Sequence, residues 1–137
     1  LDILSSDALR TQSVNTISLN KGHLIGDNTD INGFELSVRK LNYDVSDKTV
    51  LILGAGGVVP SIILSLLRMK ASKILLSNRT KEKANNLKKF FKEINIIDWG
   101  DLPDFDMIIN ATTLGLNKDD NFGLDFSKIS NNKFFYL

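Results

Sequence analysis

A chain of 137 residues, 42% apolar and 24% charged, has the size and mix of one soluble globular core; with no cysteine and one histidine it excludes disulfide frameworks, thiol catalysis, zinc ribbons, iron–sulfur clusters and any metal site needing two imidazoles. Seventeen Lys and Arg against sixteen Asp and Glu leave a net charge of +1, too small a field to gather nucleic acid or an anionic membrane. The apolar stretch around 62–67, interrupted by Ser65, is far short of the roughly 18 to 20 residues that span a bilayer, and the first residues lack the basic start of a secretory signal, so a cytoplasmic protein is expected.

Residues 2–9 set Ile3, Leu4, Ala8 and Leu9 at helical spacing, with Ser5, Ser6 and Asp7 on the other side, and predict a short helix. From Val14 the pattern alternates through Thr16 and Ser18 to a turn at Asn20-Lys21-Gly22, then to Leu24-Ile25-Gly26. This is a hairpin with glycine where positive φ is needed, and His23 falls in its loop as a surface residue. After the polar cluster Asp27-Asn28-Thr29-Asp30, Asp30 stands where a side-chain oxygen would cap a helix. Phe34, Leu36, Val38 and Leu41 carry the apolar stripe of that helix, within a linking segment 31–48.

Thr49-Val50-Leu51-Ile52-Leu53 is an unbroken β-favouring run of the kind buried on both faces of a parallel sheet, and Gly54-Ala55-Gly56-Gly57 ends it. A helix over 58–69 admits Pro60 only in its first turn, where the missing N–H is unpaired anyway. A strand at 73–77, an amphipathic helix at 81–92, and strands at 94–98 and 107–110 continue the alternation; a polar loop spans 117–121, and Phe134-Phe135-Tyr136-Leu137 reads as half of a buried strand. Strands and helices alternating at this interval imply an α/β fold with right-handed crossovers and a doubly wound parallel sheet. Both ends read as cut, the first without a methionine inside a helical pattern and the last inside a strand.

The loop Gly54, Ala55, Gly56, Gly57 and Val58, between a strand and a helix, suits a pyrophosphate: glycine allows a tight turn and close approach of backbone N–H groups, and the helix dipole favours the anion. The third fingerprint position holds Val59 instead of a small residue, and a glycine-rich turn without a ligand is the competing account. Asn78-Arg79-Thr80 at the end of the next strand offers no carboxylate for a ribose 2′-hydroxyl. Arg79, with Lys83 one turn further on, suits a 2′-phosphate and so points to NADP, against the plainer account of a solvated helix start. Asn110, Ala111 and Thr112 close the fourth strand, where the nicotinamide half of such a ligand would lie. Asp30 reads either as a carboxylate for a substrate hydroxyl and proton transfer or as a helix cap, and Asn15 as a substrate ligand or a turn residue.

Ser13-Val14-Asn15-Thr16, Gly26-Asp27-Asn28-Thr29-Asp30, Gly54-Ala55-Gly56-Gly57, Asn78-Arg79-Thr80 and Asn110-Ala111-Thr112, in this order and at these spacings, resemble the shikimate dehydrogenases over practically the whole chain. The resemblance implies reversible NADPH-dependent reduction of 3-dehydroshikimate to shikimate, in aromatic amino-acid biosynthesis, without a metal. It implies that Asn15 and Asp30 hold hydroxyls of this small-molecule substrate and that Asp30 pairs with a catalytic lysine. It further implies that the glycine loop takes the pyrophosphate and that Asn78, Arg79, Thr80 and Lys83 surround the 2′-phosphate. The expected organisation is then the end of a substrate-binding lobe at 1–30, a linking helix at 31–48 and a Rossmann-like NADP-binding domain at 49–137. In the family the lysine and a serine pair precede the segment matched here, and a tyrosine and a glutamine follow it. The chain is therefore expected to be a fragment, with a homodimer as one state of the full-length protein. Val59 and Pro60 stand where small and basic residues are often found. Two other readings stay open: a dehydrogenase of this architecture with another substrate, such as quinate or methylenetetrahydrofolate, and a non-catalytic NADP-binding module. Arg79 speaks against an NAD-dependent quinate enzyme, and Asn28-Thr29-Asp30 against the folate enzymes.

Overall fold

In the computed structural model, which describes residues 1–136, the chain forms two units, Leu1–Val45 with Gly57–Lys70 and Ser46–Gly56 with residues 71–136. Leu137, counted above in the last strand, lies outside the described residues.

The first unit departs from the sequence pattern at once. Ile3–Leu4 is a short strand, β1, and only Ser6–Thr11 is helical, α1. The helix expected over 2–9 is corrected by Ser5, whose Oγ accepts from the Ala8 N–H at 3.1 Å and donates to Asp27 Oδ1 at 2.6 Å. That cap starts α1 one residue later and leaves Ile3 and Leu4 extended beside Ile25 and Gly26. The hairpin forms as expected, from β2 (Thr16–Asn20) and β3 (His23–Asp27), with φ of +48° at Lys21 and +82° at Gly22. Two positive-φ residues match the right-handed twist of the strands they join. His23 opens β3 opposite Asn20 instead of lying in the turn, and it is exposed.

Helix α2 (Asp30–Lys40) is shorter than the expected linking segment, and it buries Ile31, Phe34 and Val38. Leu36 and Leu41, counted in the expected stripe, are 59% and 55% exposed. The buried line begins at Ile31, which leaves Leu36 on the opposite face, and the left-handed Asn42 (φ +53°) follows the helix end. Helix α3 (Val59–Arg68) carries Pro60 in its first turn and buries Val59, Ile62, Ile63 and Leu66. Among the described residues, Asn28, Ser65 and Arg68 make paired polar contacts inside this unit, whereas the buried Glu35 Oε1 has no hydrogen-bond partner. Asn28, 1% exposed, donates from Nδ2 to Thr11 Oγ1 (3.0 Å) and Ser61 Oγ (2.9 Å) and accepts at Oδ1 from the Asp30 N–H (3.1 Å). Ser65 Oγ reaches the carbonyls of Ile31 (3.1 Å) and Ser61 (2.8 Å), and Arg68 forms a two-pronged ion pair with Asp7.

The second unit is a five-stranded, wholly parallel sheet: β4 (Thr49–Leu53), β5 (Lys73–Ser77), β6 (Ile94–Ile96), β7 (Met107–Asn110) and β8 (Phe134–Tyr136), in the order β6-β5-β4-β7-β8. This is the expected Rossmann-like arrangement, and the spans of β4, β5 and β7 agree with the sequence reading. Val50, Leu51, Ile52 and Leu53 are at most 1% exposed, as a continuous apolar run in a central parallel strand requires. Helix α4 (Lys81–Phe90) ends two residues before the expected 92, because Phe91 turns extended and enters the core at 1% exposure while the Lys88 ammonium takes the carbonyls of Lys92 and Ile94. Strand β6 stops at Ile96, short of the expected 98. Strand β8, at the edge of the sheet, is partly buried, with Phe135 45% exposed.

Register decides where the strands end. Leu53 stands level with Ser77 on one side and with Asn110 on the other, so β4, β5 and β7 terminate together. The chain order of the strands also reverses at β4, and a crevice beyond the carboxyl ends is expected at such a switch. Among the described residues no helix is long and apolar enough to cross a membrane.

Candidate functional site

Gly54 closes the end of β4. Its N–H donates to the Ser77 carbonyl at 2.8 Å, and the Ala111 N–H donates to the Leu53 carbonyl at 2.8 Å, which ties the exits of all three strands together. The residue has φ of +108°, and a Cβ built on it would lie 2.6 Å from the Ala111 oxygen. Both facts require glycine. Gly56 and Gly57 differ, since neither has positive φ and a Cβ on either would meet nothing within 4 Å. Their missing side chains leave open space beside the loop backbone, the space a close-approaching phosphate uses.

A crevice of about 300 Å³ lies over these strand ends. Gly54, Ala55 and Gly56 form its floor, residues 111–114 one wall, and Asn78, Arg79, Thr80 and Lys83 the other, with Trp99 beside them. The structure thus brings the first three loop residues together with the Asn78-Arg79-Thr80 turn and Lys83. Gly57 and Val58 are exposed and are not among the lining residues.

The cations of this wall are sorted by their neighbours. Lys81 is bound by Asp98 at 2.6 Å, a bond that raises the lysine pKa. Arg79 and Lys83 are exposed, and neither pairs with a carboxylate among the described residues. The Arg79 guanidinium lies over the Trp99 ring, 5.8 Å from its centroid. Asn78 Nδ2 donates to the Thr80 carbonyl at 2.8 Å and shapes the turn; Thr80 starts α4 without a side-chain capping bond, so its hydroxyl is not spent on the helix. Trp99 is the residue that sequence reasoning missed. The one available signal was its place just past the end of a parallel strand, where ligands of such sheets lie.

On the other wall the side chains of Asn110 and Thr112 serve the loop. Asn110 Oδ1 accepts from the Thr112 N–H (3.0 Å) and hydroxyl (2.7 Å), its Nδ2 donates to the Leu114 carbonyl (2.9 Å), and Thr112 Oγ1 accepts from the Leu114 N–H (3.0 Å). Asn110 does not line the crevice, whereas Ala111 and Thr112 do.

In the first unit, Asn15 Oδ1 accepts from the Thr29 N–H (2.9 Å), the Thr29 hydroxyl (3.2 Å) and the Thr16 hydroxyl (3.0 Å). The exposed Asn15 is thereby fixed beside the residue preceding Asp30. Asp30 is the first residue of α2, exposed, with its N–H held by Asn28. The capping account of Asp30 is corrected: Thr29 is the N-cap residue and makes no side-chain cap bond, and the Asp30 carboxylate makes no hydrogen bond or ion pair among the described residues. Asp27 is engaged instead, since bonds from the Ser5 hydroxyl and the Asn28 N–H hold its carboxyl below the ordinary aspartate pKa.

A glycine-floored crevice whose wall carries two uncompensated cations can hold a ligand with separated phosphates, one against backbone N–H groups and one against a guanidinium fork and an ammonium. Comparison with known proteins agrees. Residues 35–116, more than half of the chain, match the family model described as shikimate / quinate 5-dehydrogenase. The shikimate dehydrogenase (NADP(+)) of Pelagibacter ubique is 56% identical over 136 residues, covering 99% of this chain and 51% of that protein. Among solved structures, the shikimate dehydrogenase of Aquifex aeolicus superposes with a TM-score of 0.86 at 32% identity, over 98% of this chain and 51% of that one. The shikimate 5-dehydrogenase of Thermus thermophilus, solved in complex with NADP(H) and shikimate, does so with a TM-score of 0.76 at 29% identity, over 85% and 43%. The chain spans about half the length of the curated relatives it matches. With the family model, the parallel-sheet topology and the crevice in agreement, the chain belongs to the shikimate / quinate 5-dehydrogenase family.

Proposed function

We propose that the full-length protein reduces 3-dehydroshikimate to shikimate, reversibly and with NADPH, and that this chain supplies the NADP-binding crevice and two of the groups that hold the substrate. One observation carries the reading: Arg79, just past the end of β5, and Lys83, in the first turn of α4, line the crevice without an ion pair to a carboxylate among the described residues, the arrangement a 2′-phosphate needs and a 2′-hydroxyl does not. The names of the relatives support it, as do the NADP(H) and shikimate bound in the Thermus protein.

In this reading the residues fit the dinucleotide in three places. The backbone at Gly54, Ala55, Gly56, Gly57 and Val58 takes the pyrophosphate; Asn78, Arg79, Thr80 and Lys83 take the 2′-phosphate; and Asn110, Ala111 and Thr112 form the loop at the nicotinamide end, Asn110 through the bonds that shape it. When bound, the nicotinamide supplies the hydride for the carbonyl carbon. Asn15, its oxygen engaged, offers its NH2 to a substrate hydroxyl, and the unpaired Asp30 carboxylate accepts from one and pairs with the lysine that protonates the alkoxide oxygen. Residues 1–30 are then the end of the substrate lobe, 31–48 the link and 49–137 the nucleotide domain. A cytoplasmic location belongs to the same reading, supported by the near-zero net charge and by the lack of a membrane-crossing helix among the described residues.

Titration of the chain with NADPH and NADH tests the proposal. NADPH should bind more tightly, and Arg79→Ala should weaken NADPH by about 1.5 to 3 kcal/mol, the range for a hydrogen bond to a charged group, while sparing NADH. Equal affinity for the two in the unmodified chain refutes the reading.

A further inference from the structure

We infer that Trp99 is a specificity-determining residue: its indole face holds the Arg79 guanidinium so that the N–H edge is presented to a 2′-phosphate, and discrimination between phosphorylated and unphosphorylated ribose depends on an aromatic ring that does not itself bind the phosphate. The inference rests on the reading of the crevice as an NADP site.

Arginine on an exposed turn is a poor selector by itself, because a long side chain with many rotamers spends much of its time away from the ligand. Arg79 is such a residue, exposed and without an ion pair among the described residues. Its guanidinium lies over Trp99, at 5.8 Å from Cζ to the ring centroid, within the roughly 6 Å reach of a cation–π interaction. A guanidinium held over a ring through its face keeps its in-plane donors available, and those are the donors that grip phosphate in a fork.

Trp99 is itself held. It packs against the core cluster of Leu51, Leu53, Leu75, Phe105 and Ile108. The residues before it are pinned to the sheet and to the start of α4: the Ile97 N–H donates to the Leu76 carbonyl at 3.0 Å, and Asp98 binds Lys81 at 2.6 Å. Adjacent residues of one short segment thus treat the neighbouring cations differently. Asp98 removes Lys81 from the crevice, Trp99 steadies Arg79 without neutralising it, and Lys83 remains as a point charge. A carboxylate at position 99 would hold Arg79 as firmly but would occupy its donors. An aromatic ring does not.

The test compares the unmodified chain with Trp99→Leu, Trp99→Phe, Arg79→Ala and the Trp99→Leu/Arg79→Ala double variant, each titrated with NADPH and with NADH. Trp99→Leu should lower the NADPH-over-NADH preference by about two- to fivefold, the loss of one exposed cation–π contact, with NADH affinity unchanged. Trp99→Phe should retain most of the preference, and Trp99→Leu should have no further effect on NADPH once Arg79 is alanine. A Trp99→Leu chain with undiminished preference, or one that loses NADPH and NADH equally, overturns the inference. Should Trp99→Leu fail to fold, the unmodified chain still decides the matter. Trp99 is its sole tryptophan, so 2′,5′-ADP should change the emission where 5′-AMP does not, and Arg79→Ala should abolish that change. No differential response overturns the inference. A chain that shows no NADPH preference, with Arg79→Ala also without effect, removes the underlying NADP reading and the inference with it; a preference that needs Arg79 but ignores Trp99 removes the inference alone.

Discussion

Replacing Gly54 and Gly56 by alanine, one at a time, separates what the glycine loop does for the fold from what it does for a ligand. At Gly54 two penalties combine. An alanine at φ of +108° occupies a region L-residues avoid, at about 1 to 3 kcal/mol, and its Cβ would lie 2.6 Å from the Ala111 oxygen and 2.8 Å from the Ala111 carbonyl carbon. Relief requires the end of β4 to move away from residue 111, which endangers the 2.8 Å bond from the Ala111 N–H to the Leu53 carbonyl, worth about 0.5 to 1.5 kcal/mol. Gly54→Ala should therefore destabilise the chain by about 2 to 4 kcal/mol, a large share of the roughly 5 to 15 kcal/mol typical of a domain. At Gly56 the φ is ordinary and a methyl meets nothing within 4 Å, so stability should stay within about 0.5 kcal/mol of the unmodified chain or rise slightly through a stiffer unfolded state. The same methyl fills the space beside the backbone, and NADPH affinity should fall at least tenfold, about 1.4 kcal/mol. Urea unfolding followed by circular dichroism measures the first quantity and NADPH titration the second. If Gly54→Ala unfolds within about 0.5 kcal/mol of the unmodified chain, the suture between strand ends is not structural; if Gly56→Ala binds NADPH undiminished, the loop is not the seat of the pyrophosphate.

Three further outcomes are expected. Asn28→Ala should cost about 2 to 3 kcal/mol, since it removes two bonds among buried hydroxyls and a third to a helix N–H that water can replace; a loss below about 0.5 kcal/mol in urea unfolding would show that the network is dispensable. Asp30→Asn should leave stability nearly unchanged, because the carboxylate caps nothing, while abolishing most turnover of 3-dehydroshikimate by the full-length protein; normal turnover would remove Asp30 from the chemistry. Asp27, held below its ordinary pKa of 3.8 by Ser5 and the Asn28 N–H, adds stability that is complete above that value and is lost as pH falls through the lowered one; Ser5→Ala should move the Asp27 titration, followed by NMR, back upward, and an unmoved titration would refute the assigned cause.

The parts of the fold that rest on a single physical cause were legible in the sequence. Strands β4, β5 and β7 are short apolar runs closed by a glycine or a polar residue, and burial on both faces leaves such a run little freedom in its limits. The misread parts are those where two causes compete. Ile3 and Leu4 satisfy a helical spacing, but the Ser5 cap and the edge offered by β3 outweigh it. Leu36 and Leu41 satisfy an apolar stripe, and nothing local shows that the line through Ile31, Phe34 and Val38 is the one buried. The site divides in the same way. Glycine geometry and the charge type at Arg79 follow from chain order alone. That Asn110 spends its amide on its own loop, and that Trp99 meets Arg79 from the turn after β6, depends on how the turns beyond the strand ends fold over one another.

Because β4, β5 and β7 stop at one level, the molecule separates chassis from fittings. Inserting one residue within β5 would carry position 79 about 3.3 Å along the sheet and turn its side chain to the opposite face, so on the proposed reading the lengths of the central strands are frozen by the ligand as much as by the core. Identities at 79 and 83 are under no such restraint: both side chains are exposed and both residues lie outside the ladder. On the proposed reading of the crevice, coenzyme choice is thus open to alteration by point substitution, and closed to alteration by changes of strand length.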